Sequence, residues 1–375
     1  MDPVKIGIIG CGNISNQYLE LARQFPILDI AACADLNLDA ARAQAEKYNV
    51  PQACTVEQLL ADDRIELVIN LTIPAAHASV ALKTIEARKH VYNEKPLAVT
   101  VDEANQMLAA AEQKQVRIGC APDTFLGTAH QACRKAIDEG VIGRPVAATA
   151  FMLCRGHETW HPSPAFYYKV GGGPMFDMGP YYLTALINLL GPIARVTGSA
   201  GIQIDPRTIT SQPLNGQTID VETPDHVAGT IEFAQGAIGT IITSFAAAHS
   251  PHDRRHPITI FGTEGTMQVP DPNNFDGSVL VCGVADKEWR EVTVEHDHPN
   301  GRSLGVADMA HAIRDRRPHR ASGEIAFAVL AAMQGFLTAA DTGQAQTLDT
   351  SYDRPAMLGL GLSDGVLTEP ASAAK

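Results

Sequence analysis

The feature that most constrains this chain is an apolar run, residues 4–9, that ends in Gly10-Cys11-Gly12 and turns straight into a helical pattern through Leu19, Leu21 and Ala22. A short run that is apolar apart from one lysine, Lys5, reads as a strand buried on both faces, and such strands belong in parallel sheets. The rhythm then repeats. Residues 27–34, 67–71, 90–92 and 116–120 read as further strands, with helical patterns over 39–48, 77–88 and 102–113. Strand and helix alternating at this spacing predict a parallel sheet with right-handed crossovers. After Asp123 the pattern changes. One helix, 129–139, precedes β-rich sequence in which 227–233 and 238–245 flank Ala234-Gln235-Gly236, and 258–261 and 266–269 flank Thr263-Glu264-Gly265. Glycine-bearing turns between β-prone runs predict antiparallel hairpins. A helix over 324–340 follows, and 371–375 is a small-residue tail expected to fray.

The glycine turn has a chemical reading. Gly10 permits the tight turn, Gly12 lets the backbone approach a pyrophosphate, and the helix behind them, entered at Asn13 and Ile14, offers free N–H groups to its charge. Ser15 stands where the third glycine of GxGxxG is usual. Asp35 closes the next strand, close to the spacing expected of a ribose-binding acid. A carboxylate there accepts from the 2′-hydroxyl and repels a 2′-phosphate, which favours NAD; Arg42 nearby leaves NADP open. The fold expected is therefore α/β: an N-terminal Rossmann dinucleotide-binding domain over 1–123, an α+β domain with a large, mainly antiparallel open sheet over 124–345, and a C-terminal extension over 346–375. A length of 375 residues also exceeds what one hydrophobic core commonly supports.

Composition narrows the function classes. A net charge of −13 without a basic stripe argues against nucleic acid as a partner. Seven scattered cysteines, never spaced CxxC, suit buried thiols in a reducing compartment. With no export signal read at the N-terminus and no stretch near the ~20 apolar residues of a membrane span, a cytoplasmic protein without a membrane partner is expected.

Two further motifs carry a resemblance. Glu94-Lys95-Pro96 follows a short strand, and Gly171-Gly172-Gly173-Pro174-Met175-Phe176-Asp177-Met178-Gly179 stands in the second part of the chain. With the glycine turn, the chain resembles the glucose–fructose oxidoreductase / inositol dehydrogenase / rhizopine-catabolism (Gfo/Idh/MocA) family over roughly residues 4–340. That resemblance implies a sugar, polyol or glycoside substrate, catalytic Lys95 and Asp177, and association into a homodimer or homotetramer through the open sheet. Many members carry histidine four residues after the aspartate; Tyr181 stands there, as in the branch resembling glucose–fructose oxidoreductase and dihydrodiol dehydrogenase. The resemblance also implies that Thr72, Pro74, His77 and Glu94 line the cofactor. It places Asp123, Trp160, His161 and Tyr168 beside the substrate, Asp123 replacing an asparagine-containing loop.

Residue chemistry adds its own support. Asp177 and Tyr181, at i and i+4, share one helix face, with Gly179-Pro180 expected in the first turn. Oxidising an alcohol requires a proton acceptor, and a phenol, with a pKa near ~10, needs a nearby cation to serve at neutral pH. Tyr181 is thus read as acid/base, Lys95 as polariser and proton partner, and Asp177 as the orienting group. Plainer readings stand beside these: Tyr181 packing with Tyr182, Lys95 solvated, Asp177 a helix N-cap, His77 an ordinary first-turn histidine, Trp160 a packing residue.

His157-Glu158-Thr159-Trp160-His161 matches the HExxH zinc signature, but Gly156 and Pro162 flank it, so a loop without a metal is expected. His249, His252 and His256 surround Arg254 and Arg255, a polar loop suited to an anionic substrate group. Two rival functions use the same residues. One is an NAD-retaining glycoside hydrolase acting by transient C3 oxidation, elimination, hydration and re-reduction; the other is a non-catalytic dinucleotide sensor.

Overall fold

The computed structural model describes residues 1–250 and 254–367, and its contacts divide the chain into two units. The first unit comprises 1–131, 294–327 and the chain from Pro355 onward; the second comprises 132–293 and 328–354. The contiguous division expected from the sequence (1–123, 124–345, 346–375) differs from this, because 294–327 returns to the first unit.

In the first unit, β1 (Val4–Ile9), β2 (Leu28–Ala34), β3 (Gln52–Cys54), β4 (Leu67–Asn70), β5 (His90–Asn93) and β6 (Ile118–Cys120) form one parallel sheet in the order β3-β2-β1-β4-β5-β6. All four residues of β4 are buried, as an apolar run covered on both faces should be. The crossover helices are α1 (Ser15–Ala22), α2 (Leu38–Tyr48), α3 (Val56–Ala61), α4 (Pro74–Glu86) and α5 (Val101–Lys114). Their starts are written locally. Asn37 caps α2, and reciprocal capping boxes pair Thr55 with Gln58 at α3 and Thr100 with Glu103 at α5. The strand order reverses at β1/β4, the switch point where such sheets take their ligands.

The second unit is built on β7 (Pro145–Leu153), β8 (Ile193–Gly201), the short pair β9 (Arg207–Thr208) and β10 (Thr218–Ile219), then β11 (His226–Phe233), β12 (Ile238–Ser244), β13 (Ile258–Gly262), β14 (Gly265–Val269), β15 (Leu280–Gly283), β16 (Arg290–Glu291) and β17 (Gln346–Thr347). Nine of these make one sheet, β16-β15-β14-β13-β7-β12-β11-β8-β17, antiparallel except for β7–β12. Both predicted hairpins are present, as β11–β12 and β13–β14. One face buries Ala148, Ala150, Ile231, Ile241, Ile258 and Ile260. On the other, register aligns Thr197, Thr230, Thr240, Thr149 and Thr259 in a single row across five strands. β-Branched side chains directly opposite one another stabilise such a sheet without burial. Helices α6 (Thr128–Asp138), α7 (Gly173–Leu190), α8 (Leu304–Asp315) and α9 (Gly323–Thr342) complete the chain.

Among the described residues all seven cysteines are free, five of them buried. By length and composition α9 is apolar enough to cross a membrane, which corrects the expectation that no segment is; half of its most apolar stretch is buried inside the protein, as in a core helix. The tail at 371–375 lies outside the described residues.

Candidate active site

The first unit offers a turn shaped for a ligand. Gly10 has φ +101°, and a Cβ there would stand 2.6 Å from the carbonyl carbon and oxygen of Leu71, so the approach of β4 demands glycine. Gly12 differs: a Cβ on it would meet nothing within 4 Å. Packing inside the protein does not explain that second glycine, whereas a pyrophosphate over the turn does. The Asp35 carboxylate accepts the Cys11 N–H at 2.7 Å and the Asn37 N–H at 2.8 Å, so the acid is fixed against the turn it serves. Arg42 is paired with Asp39 at 3.0 Å, and the fully exposed Leu36 follows Asp35. Ser15, in the third-glycine place, is buried with its hydroxyl donating to Gly12 O at 2.6 Å. Asn13, Ile14, Thr72 and Pro74 are at least partly exposed around this end of the sheet. The residues present fit a dinucleotide.

Behind Lys95 lies a buried polar floor. Asn70 Nδ2 donates to Asn93 Oδ1 and His77 O, while its Oδ1 accepts from the Thr72 amide and hydroxyl. His77, expected to line the cofactor, is fully buried instead: Nδ1 lies 2.6 Å from Pro96 O and Nε2 3.0 Å from Thr72 O. Burial lowers its pKa against the pull of those carbonyls; a neutral ring donates to one of the two, and it stands between the Thr72 loop and the Lys95 loop. Glu94 is corrected in the same way. Its Oε1 accepts from Tyr18 at 2.9 Å and its Oε2 from the Lys95 N–H at 2.9 Å. Asp123 too is wholly buried rather than substrate-facing, accepting the Gly305 N–H at 2.9 Å, with Arg302 3.9 Å away. Burial pushes its pKa up to about 6 against the Arg302 charge. Lys95 itself is half-buried.

In the second unit α7 starts where two glycines, Gly172 and Gly173, let backbones touch. Gly173 has φ +78°, and a Cβ on it would meet Pro224 O at 2.7 Å. Starting this early, α7 places Pro180 in its interior, not in the first turn as expected; the chain tolerates one missing N–H there. Gly172, not Asp177, is the N-cap. Asp177 and Tyr181 do share a face, one turn apart.

The partner of Asp177 is unexpected. His157 Nε2 lies 2.8 Å from Asp177 Oδ2. Its ring is boxed by Tyr167, Phe245 and Trp160 at centroid distances of 4.3, 4.4 and 5.1 Å, and its Nδ1 is buried without a hydrogen-bond partner. A proton on Nδ1 would be an unmet buried donor, so the surroundings assign the proton to Nε2, donating to Asp177. Glu158, the acid of the HExxH segment, is structural. Residues His157–Thr159 form one 3-10 turn, and Glu158 binds Arg207 at 2.9 Å and accepts from the Tyr168 hydroxyl. Arg207 also pairs with the fully buried Asp225 at 2.6 Å and lies over the Tyr168 ring. Tyr168, expected at the substrate, is thereby corrected to a buried strut of the loop, while Trp160 is 61% exposed. Among the described residues no group of three metal-binding side chains occurs. Arg254 and Arg255 are exposed; the Arg254 charge opposes the burial that raises the pKa of Tyr182 and Cys154. His249 is exposed, His256 contacts Ser278, and His252 lies outside the described residues.

Two family models match: the oxidoreductase family, NAD-binding Rossmann fold, over residues 4–121, and the GFO/IDH/MocA C-terminal domain over 130–268. The chain belongs to the GFO/IDH/MocA family of oxidoreductases. Within that family it is 27% identical to 1,5-anhydro-D-fructose reductase of Ensifer adhaerens, over 74% of this chain and 86% of that one. It is likewise 27% identical to a glycosyl hydrolase family 109 protein of a Shewanella species, over 81% and 72%. A solved levoglucosan dehydrogenase in complex with NADH shares the fold at TM-score 0.80 and 21% identity, over 93% of this chain and all of that one. For a GFO/IDH/MocA member, the residue that sequence reasoning missed is His157. Its only sequence signal was its place in HExxH, which pointed to the wrong chemistry.

Proposed function

We propose that this protein moves a hydride between NAD and a hydroxyl or keto carbon of a sugar, polyol or glycoside. The observation that carries the reading is the His157–Asp177 pair one helical turn from Tyr181, in a chain whose first unit has the NAD-binding turn. Gly10, Gly12, Asn13 and Ile14 would hold the pyrophosphate, Asp35 the ribose, and Thr72 and Pro74 the nicotinamide end. Bound there, the nicotinamide supplies the two-electron acceptor or donor.

The chain's own groups handle position and protons. Asp177, oriented by His157, accepts a hydrogen bond from a substrate hydroxyl. Tyr181 takes the proton of the reacting hydroxyl and returns it in the reverse direction. Because a phenol, with a pKa near ~10, is a weak base at neutral pH, it needs a cation, and Lys95 is assigned that part. Trp160 and His161 border the sugar, and Arg254 and Arg255 suit an anionic substituent. The exposed Ile238 and Phe261 on the open sheet face support a homo-oligomer, and the free cysteines support a cytoplasmic setting.

The Shewanella relative favours a second reading, in which NAD is reduced and reoxidised within one glycoside cleavage. Incubation with NAD and a panel of sugars and glycosides separates the two. Growth of the reduced-nicotinamide absorbance band supports net oxidation. Release of an aglycone with no such growth supports cleavage, and neither signal overturns both readings.

A further inference from the structure

The backbone from Lys95 to Leu97 is held by three side chains. Glu94 Oε2 accepts the Lys95 N–H at 2.9 Å, His77 Nδ1 lies 2.6 Å from Pro96 O, and Asn93 Nδ2 donates to Leu97 O at 3.2 Å. Glu94 also accepts the Tyr18 hydroxyl through Oε1 at 2.9 Å, so both of its oxygens serve as acceptors, the work of an ionised carboxylate. A charge buried as Glu94 is needs a cation beside it. That cation arrives from a distant part of the chain, the segment 294–327 that returns to the first unit. Arg302 Nη1 lies 4.0 Å from Glu94 Oε1 and 3.9 Å from Asp123 Oδ1, a buried oxygen with no hydrogen-bond partner among the described residues. The stretch around the arginine is tied down on both sides of it. Asn300 Oδ1 accepts the Thr128 N–H at 3.0 Å, the Ser303 hydroxyl donates to Tyr18 O at 3.1 Å, and the Gly305 N–H is on Asp123. Ser303 is buried and has φ +89°, a left-handed conformation that a residue other than glycine keeps only where its surroundings impose it.

We infer that Arg302 is a positioning residue for Lys95, holding the Glu94 carboxylate in place while Glu94 fixes the Lys95 backbone. The inference rests on the part proposed above for Lys95 and adds a residue that acts through Glu94, not on cofactor or sugar. Asp123 gives the arrangement its sensitivity. Arg302 serves two buried carboxylates at once, so a neutral residue in its place leaves two negative charges together without that cation. Displacement of Glu94 reaches Lys95, because Glu94 Oε2 is on the Lys95 N–H. Neutralising Glu94 together with Arg302 leaves the charge of Asp123 alone, the same net charge as the intact three.

Arg302→Met, Glu94→Gln and the double variant test this as a cycle with two readouts. One is hydrogen exchange at the Lys95 amide, resolved to single residues by mass spectrometry. The other is kcat for nicotinamide reduction with a sugar or glycoside that the unsubstituted protein oxidises. Glutamine has one acceptor oxygen and cannot serve Tyr18 and Lys95 as glutamate does. In each single variant the Lys95 amide should exchange about tenfold or more faster, and kcat should fall about tenfold or more. The double variant should be no worse than Glu94→Gln in either readout, because Arg302 acts through that glutamate. Arg302→Lys, which keeps the charge, should recover most of both losses. Should Arg302→Met not fold, comparison of the double variant with Glu94→Gln decides by itself. Additive losses in the double variant overturn the inference. So does a Lys95 amide or a kcat that Arg302→Met leaves unaltered, and so does exchange accelerated equally throughout β1 and β4. Coupled exchange at Lys95 without any turnover by the unsubstituted protein counts against the oxidoreductase reading and leaves the positioning of Lys95 standing.

Discussion

Arg207→Met tests the support of the proposed substrate loop. Arg207 is 1% exposed and sits between Glu158 at 2.9 Å and Asp225 at 2.6 Å, carboxylates that are themselves 5% and 0% exposed. Removing one partner from a buried ionic cluster costs about 3–5 kcal/mol, because the remaining charges lose their counterion. Here part of that loss is offset. Asp225 keeps the Gln203 and Ile204 N–H groups, and Glu158 keeps the Tyr168 hydroxyl, which places the expected loss near the lower end, about 3 kcal/mol. Urea unfolding followed by circular dichroism should show the midpoint fall. The triple variant Glu158→Gln, Arg207→Met, Asp225→Asn carries no charge in the cluster and should recover most of the loss. An Arg207→Met midpoint equivalent to within about 0.5 kcal/mol of the unsubstituted protein would refute the argument.

Gly12→Ala should leave thermal unfolding unchanged, since its Cβ meets nothing within 4 Å, but weaken NADH binding about tenfold or more in a fluorescence titration. Gly10→Ala should lower stability by about 1–3 kcal/mol because its backbone is left-handed and its Cβ would strike Leu71; equal behaviour of the two variants would contradict the assignment. Asp123 has a folded-state pKa of about 6 against an ordinary 3.8, so the native state holds its proton longer than the unfolded chain. Its contribution therefore makes stability fall as pH rises through that window, and Asp123→Asn should flatten this part of the urea-midpoint profile. His157→Phe keeps the aromatic box but loses the donor to Asp177, and should cut kcat/KM up to about a hundredfold with NADH affinity intact. His157→Gln should restore much of it, and no difference between the two would exclude the positioning role.

Most of the first unit was legible because its signals are local. Residues 4–9 are apolar apart from the exposed Lys5, Asn37, Thr55 and Thr100 mark helix starts, and Gly10 is required by one close contact with Leu71. The hairpins at Ala234-Gln235-Gly236 and Thr263-Glu264-Gly265 were legible for the same reason. What escaped depends on distant pairing. Helix α8 carries Asp308, a charge that masks the core helix until Arg317 and Arg320 are seen to neutralise it. Burial reassigned His77, Glu94, Asp123 and Tyr168 from ligand contact to support, and burial is not written in residue type. Glu158 and His157 were read only as part of a loop without a metal, because their partners, Arg207 and Asp177, lie 49 and 20 positions away in sequence.

The account stands most directly on the rate of nicotinamide reduction in a single turnover, with NAD saturating and the best glycoside of the panel in excess. For Lys95→Met and Tyr181→Phe the account predicts a fall of at least about a hundredfold, with NAD affinity equal to that of the unsubstituted protein. Undiminished reduction in either variant, at matched NAD occupancy, would contradict it.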